Sequence, residues 1–259
     1  MGAAMISGWE DAGVPSENIL IVEPEEKHAR DIQKQYGVEV IANPDFVEKN
    51  FHPDVILFAI KPQVMDKALP NYVEFAKKDK VFLSIAAGKD INFLENKLGK
   101  NAAIVRAMPN LPATIGKGIT VLVANKKVSK LQKAQCTAVM EAVGEVIWID
   151  DEKMMDAVTA VSGSGPAYVF YFIEAIVKAG VELGLPKEIA EKLAFTTVRG
   201  SAKLAETSES SLSELITQVT SPGGTTEAAL KVLTKNNNFH DLIQASIKAA
   251  AARSKELKD

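Results

Sequence analysis

Val55-Ile56-Leu57-Phe58-Ala59-Ile60 is a continuous apolar run. Such a run is typical of a strand covered on both faces, as strands of parallel sheets are. Similar runs recur through the first 150 residues, separated by amphipathic stretches such as Gln63–Lys77. The further strand candidates are Ile19–Val22, Val81–Ile85, Ile104–Met108, Ile119–Val123 and Glu145–Ile149. This alternation predicts βαβ units, so residues 1–150 are expected to form a largely parallel, doubly wound, Rossmann-like domain.

The chain changes character after Asp150-Asp151. The second half has helical periodicity and offers no strand candidate of comparable strength; the predicted helices are Ser164–Leu183, Pro186–Leu204, Ser211–Gln218, Thr225–Leu233 and His240–Lys258. Residues 151–259 are therefore expected to form an all-helical, α-class domain. Its apolar faces suit a homodimer interface, and the alternative is that they bury one another within a monomer.

The composition excludes several classes of function. The formal net charge is −3, and no Lys/Arg block interleaves with aromatic residues, which argues against nucleic-acid binding. The longest apolar run, near residues 54–60, is far shorter than the roughly 20 residues of a membrane-spanning helix. The one cysteine, Cys136, and three widely separated histidines give no metal-ligand pattern. Without a signal-like N-terminus, we expect a soluble cytoplasmic protein with no metal and no nucleic-acid or membrane partner.

The chain begins as though inside a dinucleotide-binding turn. Met1-Gly2-Ala3 would supply the third glycine of a G-x-G-x-x-G motif, which normally follows a central first strand. That first strand is apparently absent, and we expect about ten more residues upstream in the natural protein. Its loss would leave two neighbouring strands unpaired, with weak cofactor binding and poor solubility.

Glu23 stands at the end of the next strand, about twenty residues after the turn. A carboxylate at this place accepts hydrogen bonds from the adenosine ribose and repels a 2′-phosphate. Glu23 therefore favours NADH over NADPH as the cofactor. The alternative is a solvated turn residue before Pro24.

Three loops of small residues follow successive predicted strands. Ligands bind at the carboxyl ends of strands in open α/β sheets, and small residues let the backbone approach them closely. Each loop alone could be a plain turn, but three in succession indicate a dinucleotide site. With the N-terminal turn they supply the candidate cofactor-binding residues Met1, Gly2, Ala59, Ile60, Lys61, Pro62, Ala86, Ala87, Pro109 and Asn110.

Ser221-Pro222-Gly223-Gly224-Thr225-Thr226 separates two predicted helices. Proline and paired glycines end the first helix, and a threonine can cap the next. Free N–H groups at a helix start favour an anion such as a small carboxylate. The alternative is an ordinary helix–helix turn. A second glycine-rich turn, Ser162-Gly163-Ser164-Gly165-Pro166, opens the helical half as either a hinge or part of a pocket wall.

These residues resemble a known family. Val161–Tyr168 and Val219–Thr226, together with the three strand-end loops in the same order, look like Δ1-pyrroline-5-carboxylate reductase over the whole chain. The resemblance implies an N-terminal Rossmann-like domain and a helical domain that interlocks into a homodimer, often assembled into a ring of dimers. It implies NADPH- or NADH-dependent reduction of pyrroline-5-carboxylate to L-proline, the last step of proline biosynthesis.

The resemblance also implies roles for particular residues. Backbone at Ser221, Gly224 and Thr225 would hold the substrate carboxylate, and the catalytic candidate Thr226 would hydrogen-bond the ring nitrogen. Four further assignments complete the site: Glu209 near the substrate, and Asn43, Glu152 and Gln218 as cofactor contacts.

The chemistry needs neither a metal nor a strong nucleophile, because an iminium carbon is already electrophilic. Placing the nicotinamide over the imine carbon, which becomes C5 of proline, supplies most of the rate, so Thr226 orients the imine rather than acting as a general acid. One alternative is another imine or hydroxyacid reductase. Those reductases commonly use a lysine on the interdomain helix, whereas the helix after Pro166 has no charge until Glu174. Another alternative is a silent dinucleotide sensor, which would not need a substrate carboxylate site.

Overall fold

The computed structural model describes residues 1–48, 51–77 and 80–257. Its contacts divide the chain into two units, one of Met1–Ser164 with Ala250–Asp259 and one of Gly165–Ala249. The sequence-based boundary after residue 150 stays a prediction, since a boundary of contacts and a boundary of folding domains need not coincide.

The first unit carries all the strands of the described chain, in two sheets. The strands are β1 Leu20–Val22, β2 Glu39–Ile41, β3 Val55–Phe58, β4 Val81–Ser84, β5 Ala103–Met108, β6 Gly118–Ala124 and β7 Gly144–Trp148. β1 pairs with β2 in parallel, and the second sheet has the order β3-β4-β5-β6-β7. β1 and β3 thus each pair with a single strand in the described chain. The Rossmann-like fold class is confirmed.

One pair of strands departs from the parallel arrangement. β6 runs antiparallel to β5, with Arg106 opposite Val123, while the other neighbours in this sheet are parallel. A parallel crossover needs about a dozen residues or more, and the short connection over residues 109–117 does not allow one.

Helices cover both faces of the five-stranded sheet. The α-helices of this unit are α1 Gly2–Asp11, α2 Glu26–Tyr36, α3 Met65–Ala68, α4 Ile91–Leu98, α5 Lys130–Glu141 and α6 Met155–Val158. Val81 and Leu83 of β4 pack in one core with Met140, whereas Phe82 between them packs in another with Leu94. Alternate residues of a strand point to opposite faces, so a strand buried on both sides reads as a continuous apolar run.

Two local predictions were wrong. No strand was predicted at Glu39-Val40-Ile41, because a three-residue strand is too short to show a period. The helix expected over Gln63–Lys77 is broken into the 3-10 turn Pro62–Val64, α3, and a 3-10 stretch Leu69–Lys77. Pro70 explains the second break, since proline has no N–H to continue an α-helix.

The second half of the chain consists of helices joined by short turns in its described part, as predicted. Its helices are α7 Gly165–Glu182, α8 Lys187–Thr207, α9 Leu212–Gln218, α10 Thr225–Leu233 and α11 Asn238–Glu256. α7 ends where Gly184 takes a φ of +94°, and Pro186 then caps α8. α11 begins two residues before the expected His240, and the predicted end at Lys258 lies outside the described residues.

The second unit exposes large apolar side chains. Phe170 and Tyr171 of α7 are 54% and 74% exposed, and Leu193 and Phe195 of α8 are more than half exposed. Among the described residues, the helical stretch Glu152–Glu182 is long and apolar enough to cross a membrane. Only 6% of its most apolar 18-residue segment is buried. This stretch is not an uninterrupted apolar run, because small and polar residues interrupt it. An exposed apolar surface of this kind marks a site of contact with another protein or with a membrane.

Cys136 is a core residue. It lies on α5, fully buried against Met140 and Val143. Burial raises the pKa of its thiol to about 12, so it stays neutral and acts as a small apolar side chain.

Candidate active site

The three predicted cofactor loops lie side by side in the first unit. They follow β3, β4 and β5, which are neighbouring parallel strands, so all three loops leave the same carboxyl edge of the sheet. The loops after β3 and β4 are joined where the Ile85 N–H donates to the Phe58 carbonyl over 3.2 Å. This edge is where α/β sheets bind dinucleotides.

The start of α1 lies at the first of these loops. A Cβ on Gly2 would be 3.6 Å from the Cβ of Ala59, so the predicted N-terminal turn and the loop after β3 are in contact. α1 has no side-chain cap at Met1 and no acidic residue in its first turn. Its N–H groups and helix dipole therefore suit a phosphate. The small residues and the uncapped helix fit a dinucleotide.

The other loop residues have defined contacts. Lys61 precedes the 3-10 turn at Pro62 and is exposed, with Ile60 half-buried beside it. Ala86 is buried and Ala87 is exposed. Pro109 is buried, and the Asn110 side-chain oxygen accepts the Ile119 N–H over 3.0 Å, which fixes the loop to the start of β6.

Glu23 and Asn43 each bind the backbone of their own turn. Glu23 follows β1, and its Oε1 accepts the Glu25 N–H over 2.9 Å at the start of α2. Asn43 follows β2, and its Oδ1 accepts the Asp45 N–H over 3.0 Å. Both side chains are half-buried at the carboxyl ends of two paired strands. Both side chains thus stabilise their own turns, and their assignment as cofactor contacts stays a prediction.

Glu152 has a structural role that the sequence did not suggest. Its Oε1 accepts from the Arg106 guanidinium over 2.9 Å and from the Ile91 N–H over 2.9 Å. The Arg106 side chain is 2% exposed and that of Glu152 is 27% exposed, so the arginine is the deeply buried partner. Glu152 thereby joins β5 to the first residue of α4. Its predicted role as a cofactor contact remains untested.

The Ser221–Thr226 turn has the geometry of an open helix start. The Gly224 N–H donates to the Ser221 carbonyl over 2.9 Å, and Gly223 adopts a φ of +71°, which favours glycine. Gly224 is the N-cap of α10, without a side-chain cap bond. The first N–H groups of α10, including those of Thr225 and Thr226, have no carbonyl in a preceding turn to bind.

Glu227 fixes this turn from within the helix. Its Oε2 accepts the Gly223 N–H over 2.5 Å, and its Oε1 pairs with Lys231 over 2.7 Å. The Lys231 ammonium, and then the Gly223 N–H, hold the pKa of Glu227 below its usual range. Glu227 therefore stays ionised, and Lys231 offsets its charge near the proposed carboxylate site.

The remaining predicted residues lie in the same unit. Thr225 and Ser221 are exposed, and Thr226 is half-buried. Glu209 is exposed in the segment before α9, and the Gln218 Nε2 at the end of α9 donates to Ser210 Oγ over 3.2 Å. The structure thus links Gln218 to the residue next to Glu209. Their roles toward ligands stay predictions.

A cavity elsewhere in the first unit does not fit an anionic ligand. It has a volume of about 650 Å³ and lies at the amino ends of β1 and β2, away from the loop edge. Its lining is Glu17, Asn18, Leu20, Glu39, Glu48, Phe51, His52, Pro53 and Asp54. Four carboxyl groups there would repel phosphate or a carboxylate substrate. Among the described residues, no group of three His, Cys, Asp or Glu side chains could hold a metal ion.

The chain combines an α/β unit, whose carboxyl sheet edge suits a dinucleotide, with an all-helical unit. This architecture is typical of nicotinamide-dependent oxidoreductases. Comparison with known proteins narrows this class. Residues 152–257 match the family described as pyrroline-5-carboxylate reductase dimerisation, and residues 1–88 match the one described as coenzyme F420-dependent NADP oxidoreductase.

Whole-chain similarity points to the first of these families. The chain is 39% identical to the pyrroline-5-carboxylate reductase of Pseudomonas aeruginosa, covering 100% of this chain and 94% of that protein. The structure of the Coxiella burnetii enzyme has a TM-score of 0.92 at 36% identity, covering 99% of this chain and 94% of that one. The Plasmodium falciparum enzyme with NADP bound has a TM-score of 0.86 at 31% identity, covering 100% and 95%. The chain belongs to the pyrroline-5-carboxylate reductase family, and the resemblance is confirmed.

Proposed function

We propose that this chain reduces Δ1-pyrroline-5-carboxylate to L-proline with NAD(P)H, the last step of proline biosynthesis. The observation that carries the proposal is the Ser221–Thr226 turn, which presents uncapped N–H groups and a threonine hydroxyl at the start of α10. A substrate with a carboxylate next to a ring nitrogen requires both kinds of group. Full-length similarity to reductases of this name supports it.

The second unit would bind and orient the imino acid. Backbone at Ser221, Gly224 and Thr225 would hold the carboxylate, where the helix dipole favours a negative charge. The Thr226 hydroxyl would hydrogen-bond the ring nitrogen and fix the face that the imine carbon presents. As the imine carbon of the protonated substrate gains a hydride, the π-electron pair of the C=N bond moves to the nitrogen, which keeps its proton in the amine product.

The first unit would hold the cofactor. NAD(P)H supplies the hydride when bound. The N–H groups at Gly2 would face the pyrophosphate, and the loops after β3, β4 and β5 would line the path of the dinucleotide. Small residues at Ala59, Ala86 and Ala87 would let the backbone come close to it.

The assay of the proposed function follows NADH or NADPH oxidation with pyrroline-5-carboxylate, beside a panel of 2-keto and 2-hydroxy acids. We expect turnover with the imine alone and one L-proline formed for each nicotinamide oxidised. Turnover with a 2-keto acid would indicate the hydroxyacid alternative. Dinucleotide binding without turnover of any substrate would indicate the sensor. Either result would overturn the proposal.

We propose that Glu23 makes NADH the preferred cofactor. The Glu23 carboxylate would repel a 2′-phosphate, whereas a ribose hydroxyl can donate to it. The relatives leave this question open, since one neighbour has NADP bound and the family matched by residues 1–88 is described by NADP.

The Glu23→Ser variant tests this preference. We expect the ratio of kcat/KM for NADPH to that for NADH to rise by about tenfold or more, because one like charge next to the phosphate is removed. Glu26→Ser is the matched control, since Glu26 is exposed on α2 and pairs with Arg30. A wild-type enzyme that strongly prefers NADPH would contradict the proposal.

We further propose that the chain works as a soluble cytoplasmic homodimer, assembled into a ring of dimers. The family that residues 152–257 match is described by dimerisation. The exposed apolar residues of α7 and α8 would then be covered by a second copy rather than by lipid.

A further inference from the structure

The last turn of α11 belongs to the first unit, not to the helical unit before it. Ser254 in this turn is only 5% exposed, while its neighbours Arg253 and Lys255 are exposed. A serine near the end of a helix is ordinarily solvated. Its burial shows that this turn, residues 253–257, is packed in place.

Ser254 is held by a buried carboxyl group. Its Oγ donates to Asp156 Oδ1 over 2.9 Å, and Asp156 on α6 is itself 4% exposed. The two residues are 98 positions apart in sequence. Both partners are buried, so this hydrogen bond is shielded from competition by water.

The same turn is in close contact with the loop after β4. A Cβ placed on Gly88 would lie 2.7 Å from the Leu257 carbonyl oxygen, closer than a side chain permits. Gly88 is buried, with a φ of +76°. Backbone therefore meets backbone at a position that only glycine accommodates without strain.

The loop Ala86–Gly88 is thus supported from three directions. At its start, Ser84 Oγ accepts the Ala86 N–H over 3.3 Å. Just after it, Glu152 accepts the Ile91 N–H. On its outer side it meets Leu257. The first support comes from β4, the second from the 3-10 turn Glu152–Met154, and the third from the residue after α11.

We propose that the turn 253–257, fixed by the Ser254–Asp156 hydrogen bond, positions the loop Ala86–Gly88 for the dinucleotide. This inference rests on the proposed function in one respect, namely that the loop contacts NAD(P)H. Ser254 is then a positioning residue that acts through Leu257 and Gly88. Its loss affects the dinucleotide and not the imino acid, whose proposed contacts lie on the Ser221–Thr226 turn.

The test compares the full-length wild type with Ser254→Ala. We expect Ser254→Ala to raise the Kd for NADH, read from tryptophan fluorescence, and the KM for NADH by about fivefold. The KM for pyrroline-5-carboxylate and the kcat at saturation stay within about twofold. Amide hydrogen exchange at residues 86–88 becomes faster, a readout that needs neither cofactor nor activity. Ser254→Thr, which keeps the hydroxyl, restores slow exchange and the wild-type Kd.

Two controls separate positioning from stability. Lys255→Ala alters an exposed residue of the same turn and leaves Kd and exchange unchanged. Cys136→Ala removes a core group and lowers Tm without altering the Kd for NADH. Equal rises in Kd for Ser254→Ala and Cys136→Ala would overturn the proposal, as would unchanged exchange at residues 86–88 in Ser254→Ala. A wild type that binds neither NADH nor NADPH would overturn the proposed function instead, and the exchange measurement would still decide whether the turn positions the loop.

Discussion

Thr226→Ala is expected to lower kcat/KM for pyrroline-5-carboxylate by about 10- to 100-fold while the Kd for NADH stays unchanged. A hydrogen bond to a charged group contributes about 1.5–3 kcal/mol, which corresponds to this range. The hydroxyl would be lost from the atom that orients the ring nitrogen, and the helix start that holds the carboxylate would remain. Alanine is a better helix former than threonine, so α10 should persist.

Two further variants make this result specific. Thr226→Ser keeps the hydroxyl and should recover most of the activity. Thr234→Ala removes a threonine at the other end of α10, whose Oγ1 donates to the Leu230 carbonyl, and should behave as the wild type. Steady-state kinetics with both substrates varied, and NADH binding by fluorescence, measure these effects. Near-normal turnover by Thr226→Ala would refute the orienting role.

Glu152→Ala is expected to reduce the free energy of unfolding by about 2–3 kcal/mol. The substitution would leave the Arg106 guanidinium buried without its carboxylate, and breaking a fully buried pair costs about 3–5 kcal/mol. The lower figure applies because the Glu152 side chain is 27% exposed and water reaches its side of the pair. The Ile91 N–H at the start of α4 would lose its acceptor as well.

Arg106→Met provides the matched comparison. Methionine fills much of the same volume without a charge, and the partly exposed Glu152 can turn toward water, so a smaller loss is expected. Urea unfolding of both single variants and the double variant gives the coupling energy. Glu141→Ala, an exposed residue at the end of α5, controls for loss of a carboxylate. A change in unfolding free energy of less than about 0.5 kcal/mol for Glu152→Ala would contradict the argument.

The fold was largely predictable because its signals are local. Runs such as Val55–Ile60 mark strands buried on both faces, and Gly184 with Pro186 marks the break between α7 and α8. The loops after β3, β4 and β5 could be placed at one edge for the same reason, since parallel neighbours end together. Where the local signal was weak, as in the three residues of β2, the prediction failed.

The contacts that hold the site residues in place could not be predicted from the sequence. Arg106 interrupts an otherwise apolar strand, and a charged residue in such a strand is the one sequence signal for this buried ion pair. Nothing in the residues around Ser254 or Asp156 indicates that they meet, because the bond depends on how the end of α11 returns to the first unit. Gly88 likewise looked like a turn residue, and its close neighbour, Leu257, is far away along the chain.

The return of the C-terminal turn makes the first unit discontinuous in sequence. During synthesis the ribosome delivers Met1–Ser164 first, and domains generally fold as they emerge. Here the nascent sheet can form early, but the outer support of the Ala86–Gly88 loop is added only after the whole helical unit has been translated. The chain is therefore expected to acquire its full affinity for the dinucleotide only after the helical unit and the turn 253–257 have been translated.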